Sequence, residues 1–543
     1  MTTTTATPAT HREPLTGTGM LLRLFLRVSR RQILVWTLAF AVLVAASVAA
    51  LRDTYPDAQA LQARAALMDN PAAVMMTGPA FALNDYTFGA MLANELSLWV
   101  FLPAAIMSVL LVVRHTRGEE ESGRLEMVRS LPVGRFAPAL AAVLTVVVAD
   151  AAVGLAVTGA LAGTGMEAAD SVALGLATAL TGLVLGAVAA VTAQLSEHAR
   201  TASALALGAI AVAFLVRGTG DVLDRQGSWL SWLSPFAWAQ QTRLYVDLRW
   251  WPLAVSAVVT VALLVLAATL ARQRDLGAGL RPARTGPATA SDSLRRPAGL
   301  ATRLLRGTFV GWAVALFLFA LAFGTLATSL EGMVEDIPAV GEWISLDLGD
   351  LTRSFAAVIL GFFAVGPLAL AVSGVLRLRE EERAGRVEGV LVSGSSRTAL
   401  VGAWVAVVAA GTVLVQVLLG LGVGLGVALA TGEAAWVGEL IAASLAHLPA
   451  ILLGGAVALA LHGLAPQLGG LAWVLVVWAA IVAILGGLLG LPTWAQDLSP
   501  LAHTPAVPDE PLALAPLLVM AALAAALTAV GLLGFRRRDV AAA

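Results

Sequence analysis

The chain has 543 residues, of which 59% are hydrophobic and only 13% charged, with a net charge of −1 and no cysteine. This composition lies far outside the range of soluble globular domains, and the missing cysteine excludes disulfides, thiolate chemistry and cysteine-ligated metals. All 34 basic residues are arginine. A standard P-loop needs a lysine to reach the phosphates of its nucleotide, so this chain contains none.

The N-terminal segment, residues 1–32, begins with small polar residues and continues into the amphipathic stretch "MLLRLFLRVSRRQ". It predicts a disordered lead-in followed by a helix that lies in the headgroup layer of the membrane. The alternative is flanking positive charge for the first span. The start lacks the arrangement of a cleavable signal, so we expect the first apolar helix to anchor the chain permanently.

Apolar runs long enough to cross a bilayer follow along the whole chain. They are apolar on all sides, whereas the strands of a membrane barrel alternate polar and apolar residues, so the predicted fold is an all-α polytopic bundle. The twelve predicted spans are 33–51, 91–113, 137–162, 171–193, 201–216, 252–271, 307–329, 354–376, 400–430, 438–461, 469–491 and 511–534. The run at 400–430 exceeds what a membrane requires, so it must tilt, extend into water or break.

The spans divide into two six-helix halves, 33–271 and 307–534, joined by the basic, Gly-, Pro- and Ser-rich linker 272–306 and followed by the tail 535–543. Because each half has an even number of spans, the two repeats share one orientation and are related by an axis along the membrane normal. We predict a second interfacial helix at the end of the linker, where "LATRLLRG" resembles the first.

Most arginines fall in the loops on the same side of the membrane as the N-terminus, whereas only a few, among them Arg217, fall in loops on the other side. Short cytoplasmic loops collect positive charge. We therefore predict a multi-pass protein of the cell membrane with both termini in the cytoplasm.

The charged loop after the second span recurs 262 positions later, in the same register and without a gap. A single charged loop is usually a solvated connection, but an unbroken repeat in a loop favours a function such as docking of a soluble partner, in two copies. Glu120 and Arg124 are spaced to pair on a helix, and Gly123 and Gly385 suit a helix break or a close backbone approach. The matching residues are Arg117, Glu119, Glu120, Gly123, Arg124, Glu126, Val128 and Arg135, with Arg379, Glu381, Glu382, Gly385, Arg386, Glu388, Val390 and Arg397.

The doubled pattern Glu-Glu-x-small-Gly-Arg-x-Glu in a twelve-span chain, together with "LSPFAW" before the sixth span, resembles the permeases of ABC-2-type (type V) exporters. More narrowly, it is similar to fused actinobacterial permeases of the tetronasin or polyketide-antibiotic type. The resemblance implies that the two loops contact the ATPase. The implied coupling residues are Glu119, Glu120, Gly123, Arg124 and Glu126, with Glu381, Glu382, Gly385, Arg386 and Glu388 in the second half.

The same resemblance implies the partners. It implies two copies of a cytoplasmic ABC ATPase that bind ATP and Mg²⁺, a hydrophobic small-molecule cargo and contact with membrane lipids. We expect no cofactor, metal site, nucleic acid or enzymatic activity in this chain itself. Gly394 stands where the first loop has Pro132, so the two docking surfaces need not be equivalent.

The segment 229–251 is rich in tryptophan, which is typical of an aromatic belt at the membrane interface. The resemblance implies instead an extracellular gate over a central path. The candidate gate residues are Trp232, Pro235, Phe236 and Trp238, with Pro500 in the second half.

Asp150 lies near the centre of the third predicted span, where a charge costs about 2.5–3.5 kcal/mol on insertion scales. It therefore faces the bundle interior or a wet cavity. A structural contact to Thr145 or Thr158 and a site for a proton or cation are both open, and His447 in the tenth span has the same ambiguity. A proton-coupled secondary transporter that uses Asp150 is the alternative function. A lipid-modifying membrane enzyme is a third class, for which no catalytic cluster is visible.

Overall fold

The computed structural model describes residues 13–68, 71–79, 81–224, 226–280, 288–327, 351–485 and 491–539. No strand occurs in these residues, and twelve helical segments are long and apolar enough to cross a membrane. This result confirms the predicted all-α polytopic fold. By Cα proximity the chain divides into two compact units, Met1–Thr285 and Gly286–Ala543.

The helices of the first unit are α1 (Thr18–Thr54), α2 (Ala58–Met68), α3 (Pro71–Thr77), α4 (Phe88–His115), α5 (Arg117–Glu121), α6 (Arg124–Ser130), α7 (Ala137–Gly163), α8 (Ala168–Leu195), α9 (Ala199–Leu223), α10 (Pro235–Gln240) and α11 (Trp251–Arg272). Helices α4 and α8 pack against each other, and their buried apolar residues include Phe101 and Leu174. Helix α7 packs on both α1 and α8, and α9 and α11 also pack on α8.

The helices of the second unit are α12 (Pro297–Gly324), α13 (Leu351–Arg383), α14 (Arg386–Val392), α15 (Arg397–Thr431), α16 (Ala435–Leu445), α17 (Leu448–Leu464), α18 (Ala472–Leu485), α19 (Thr493–Gln496) and α20 (Leu514–Arg537). Helix α12 packs along α15, α17 packs along α20, and α13 contacts α15, α17 and α18. The buried apolar residues of this unit include Leu368, Val401 and Ile451.

The first span of each unit begins earlier than predicted. Helix α1 runs without interruption from Thr18 to Thr54, and α12 from Pro297 to Gly324. At 1.5 Å per residue, the 37 residues of α1 extend about 55 Å, well beyond a hydrocarbon core of about 30 Å. The amphipathic stretches are therefore continuous with the spans, because no proline, glycine pair or cap separates them.

Helix α15 contains the long apolar run at 400–430 in one unbroken helix. The tenth span is broken instead, between α16 and α17 at Ala446 and His447. Pro449 follows the break and has no N–H to continue the helical ladder. Gln416 Nε2 donates to the Ser444 carbonyl at 2.7 Å, so a side chain from α15 satisfies one of the backbone groups beside the break.

Arg217 does not lie in a loop, which corrects the predicted end of the fifth span. It belongs to α9, is fully buried, and lies 3.4 Å from the carboxylate of Asp221 one turn later. Its guanidinium also donates to the carbonyls of Val74 and Met75 in α3. Pairing with an acid and two carbonyls allows a charge to be buried in a position that hydropathy alone assigned to water.

Helices α12 and α15 approach closely through glycine. A Cβ added at Gly426 would lie 2.4 Å from the Leu321 carbonyl oxygen, whereas a Cβ at Gly402, in the same helix, would meet nothing within 4 Å. Small residues at helix interfaces let membrane helices pack in this way.

We expect Gly426→Ala to destabilise the folded chain by about 1–3 kcal/mol, because the methyl group forces the two backbones apart. Gly402→Ala is the matched control and should be neutral or slightly stabilising, since alanine favours a helix. Detergent unfolding of the two purified variants measures the difference. Equal stability of both would show that this contact does not limit the packing of α12 on α15.

Candidate functional site: the paired charged turns

A glycine in left-handed conformation ends the second span of each unit. Gly123 has φ 73° and separates α5 from α6; Gly385 has φ 70° and separates α13 from α14. Residues with a Cβ rarely adopt this region, so glycine suits both positions. We call residues 117–130 the first charged turn and residues 379–392 the second charged turn.

Within each turn, an arginine on the short second helix reaches back over the glycine to a glutamate. Arg124 Nε lies 2.8 Å from Glu119, and Arg386 makes the equivalent contact to Glu381. The hydrogen bond to Glu381 raises the pKa of Arg386 above its ordinary value. The expected pair of Glu120 with Arg124 is therefore wrong: the glycine breaks the helix, so residues four apart no longer share a face.

Glu120 points inward and binds the arginine that follows the sixth span. Arg274 donates to both carboxylate oxygens of Glu120, at 2.7 and 2.9 Å, and both side chains are only 8% exposed. Arg117 adds a contact of 2.8 Å to the same carboxylate. From the end of the fourth span, Gln194 accepts from Arg274 at 2.7 Å.

Glu382 repeats this arrangement in the second unit. Arg538, which follows the sixth span of that unit, donates to both carboxylate oxygens at 2.5 and 2.6 Å. His462, near the end of the fourth span, lies 3.3 Å from Glu382. We call the pairs Glu120–Arg274 and Glu382–Arg538 the first and second latch, because each ties the turn to the last helix of its unit.

The sequence interpretation missed Arg274 and Arg538. Each lies about 155 positions from its glutamate, too far for any helical spacing to indicate the contact. The internal repeat could have indicated these two arginines, because they occupy corresponding places after the sixth span of each half. Arg379 departs from its counterpart Arg117: its guanidinium donates to the Gln467 carbonyl at 3.3 Å.

Eight of the ten predicted coupling residues are charged, and these eight separate into two groups. Glu120, Glu381 and Glu382 are held by arginines of their own unit with little exposure, and Glu119 is partly covered. The outward-facing side chains of the short helices include charged and apolar residues: Arg124, Glu126, Met127, Arg386, Glu388 and Val392.

The predicted gate residues do not share one environment. Phe236, Trp238 and Pro235 are buried in α10, and the Trp238 indole donates to the Trp232 carbonyl at 2.7 Å. Trp232 stacks on Trp251 with ring centroids 5.1 Å apart. Pro500 is buried in the second unit, in a 3₁₀ turn that contacts α17 and α18.

Trp251 of the stacked pair is 54% exposed, and nearby Trp229 and Trp250 are 76% and 48% exposed. The segment therefore consists of a buried helix beside an exposed aromatic rim, and the rim has the character of an interfacial belt.

Asp150 is fully buried, and its partner is Ser108 in α4 rather than the expected Thr145 or Thr158. Ser108 Oγ lies 2.7 and 2.9 Å from the two carboxyl oxygens and 2.9 Å from the Ala104 carbonyl. A hydroxyl has one proton. The single hydroxyl proton of Ser108 is therefore directed either to Asp150 or to the Ala104 carbonyl.

The two threonines expected near Asp150 donate to backbone carbonyls instead, Thr145 to Ala141 and Thr158 to Ser171. In the second unit His447 is buried at the helix break, between α16 and α17. Within the described residues, no group of three His, Asp or Glu side chains is placed to hold a metal ion.

Twelve membrane-length helices in two units, each with a latched charged turn, define a polytopic membrane permease. The family model for the multidrug efflux system permease Rv1217c, C-terminal domain, matches residues 20–272 and 294–536. The chain is also 37% identical, over 98% of both chains, to the multidrug efflux system permease protein Rv1217c of Mycobacterium tuberculosis. The chain therefore belongs to this family of multidrug efflux permeases.

We expect the latches to be the strongest couplings of the charged turns. Double-mutant cycles with alanine at Glu120 and Arg274, and at Glu382 and Arg538, should give coupling energies of about 0.5–3 kcal/mol in detergent unfolding of the full chain. The cycle for Glu119 and Arg124 is the control, because that arginine is 61% exposed and exposed pairs contribute about 0.2–1 kcal/mol. Latch couplings no larger than the control would contradict this assignment.

Proposed function

We propose that this chain is the permease subunit of an ATP-driven exporter that expels hydrophobic compounds, and that its two charged turns dock two ATPase subunits. The observation that carries the proposal is the duplicated turn, latched in each unit to the last helix. The multidrug efflux name of the relative supports lipophilic cargo, and the resemblance to ABC-2-type permeases supports the ATPase.

The docking surface consists of the outward side chains of α6 and α14. In the first unit Arg124 and Glu126 offer both signs of charge beside Met127, which is 66% exposed. In the second unit Arg386 and Glu388 are accompanied by Val392, 82% exposed. An exposed apolar side chain within a charged rim suits a protein contact, and charge complementarity gives it specificity.

The latches supply a route for force. A partner that moves α6 also moves α5, to which α6 is joined by the Arg124–Glu119 contact, and with it Glu120. The bidentate contact between the Glu120 carboxylate and the Arg274 guanidinium then transmits that movement to the end of α11. Glu382 and Arg538 do the same for α20. Gln194 and His462 bring the fourth span of each unit into the same contact. Each turn thus acts on three spans at once.

The energy source is a separate chain, because a lysine-free sequence has no P-loop. The competing function is a carrier driven by protons, for which Asp150 is the candidate titrating group. Its contacts to Ser108 inside a packed core favour a structural role.

Reversing charge on both docking surfaces, Arg124→Glu with Arg386→Glu, should abolish ATP-dependent uptake of Hoechst 33342 into inverted membrane vesicles that contain the permease and its ATPase. The fold should survive, because both arginines are themselves exposed and Glu381 keeps its contact with Arg377 at 3.0 Å. Arg23→Glu with Arg27→Glu, on the exposed face of α1, is the control with the same change of charge. Undiminished transport by the double reversal would overturn docking at these turns.

Asp150→Asn distinguishes the two energy sources. The amide keeps the size of a carboxyl and can donate to Ser108, so an ATP-driven permease should retain most of its vesicle transport, whereas a proton-driven carrier should lose it. The measurement compares ATP with an imposed proton gradient as the energy source. Transport that needs only the gradient, and that fails in the variant, would establish the carrier.

A further inference from the structure

A basic cavity of about 100 Å³ lies in the first unit where the ends of three spans meet. The first charged turn forms one wall, the start of α7 another, and the end of α11 a third. Its lining includes Arg129, Arg135, Phe136, Pro138, Ala271 and Arg274. The cavity therefore lies at the level of the membrane surface, beside the first latch.

The cavity has an excess of positive charge. Its single lining carboxylate, Glu120, already accepts from Arg274 and Arg117. Arg129 and Arg135 are exposed, and neither has a carboxylate within 4 Å in the part of the chain that the structure describes. Their guanidiniums are therefore available to an anion.

Two arginines converge on one aromatic ring of this wall. The guanidinium carbon of Arg135 lies 5.7 Å, and that of Arg272 5.2 Å, from the centre of the Phe136 ring. Arg129 donates to the Arg135 carbonyl at 3.3 Å, which holds the two residues together. Ala139 also lines the cavity from the first turn of α7, and the N-terminal end of a helix favours negative charge.

We propose that this cavity binds the phosphate of an anionic phospholipid headgroup. Arginine is the side chain best suited to phosphate, because its planar fork matches the phosphate oxygens. The cavity is large enough to hold a phosphate group. Val265 and Leu266 of α11 are exposed apolar residues one to two turns from Ala271, and the chains of a lipid would lie along them.

The second unit provides an internal comparison. In the register of the charged turns, Leu391 and Thr398 replace Arg129 and Phe136, and Arg397 corresponds to Arg135. Arg397 is used differently, since it donates to the carbonyls of the last helix at Arg536 and Arg538. The group of residues proposed to bind the anion thus occurs in the first unit and not at the corresponding positions of the second. It is independent of the docking function, which is proposed for the charged turns of both units.

The test uses the purified full chain in detergent and native mass spectrometry with three probes: dioctanoyl phosphatidylglycerol, dioctanoyl phosphatidylcholine and inorganic phosphate. We expect one preferred phosphatidylglycerol per chain. Basic residues near a membrane surface contribute about 1 kcal/mol each, so Arg129→Gln with Arg135→Gln should weaken its binding about 30-fold. Arg129→Lys with Arg135→Lys keeps the positive charge, so its affinity for phosphatidylglycerol should lie closer to that of the unaltered chain than to that of the glutamine variant.

Arg23→Gln with Arg27→Gln removes the same charge from the exposed face of α1 and should leave the affinity unchanged. An equal loss in this control would assign the binding to diffuse surface charge and overturn the site. Equal affinity for phosphatidylcholine would overturn the requirement for an anionic lipid. Inorganic phosphate that binds with no preference for lipid would assign the cavity to a free anion and overturn the lipid as its source.

Discussion

The contact on which both charged turns depend is a nearly buried carboxylate held by an arginine from the last helix of the same unit. Removing a glutamate and an arginine from water is costly, and the cost is offset only when both carboxylate oxygens are satisfied. Glu120 and Glu382 meet this condition through bidentate contacts with Arg274 and Arg538. Each charged turn is therefore held in place by a contact within its own unit and is not a freely solvated loop.

The sequence was sufficient for the parts of the fold that depend on local pattern. Long apolar runs specify twelve spans because a bilayer selects for length and hydropathy. The repeated Gly123 and Gly385 indicate a break because few other residues adopt a positive φ. Local sequence pattern did not predict the buried arginines, because the groups that pair with them lie far away in the sequence. Arg217 was assigned to water because nothing local indicates the carbonyls of α3, and the latch arginines lie about 155 positions from their acids.

The two units share the latches but differ inside their helical cores. In the first, Asp150 on α7 is satisfied by Ser108 on α4. In the second, Thr412 stands at the corresponding place, and its hydroxyl has no hydrogen-bond partner among the described residues. The polar contact there joins Gln416 and Ser444 beside the broken tenth span. The charged turns of the two units are thus alike, whereas their intramembrane polar groups differ.

The two latches are equivalent by position and by contact. Arg274 and Arg538 follow the last helix of their units by two residues and one residue, and they bind the corresponding glutamates Glu120 and Glu382. A random surface pair would have no reason to recur at corresponding sites with the fourth span contributing a third side chain each time, Gln194 in one unit and His462 in the other. Recurrence of the whole three-span contact shows that each turn is a packed part of its unit rather than a solvated loop.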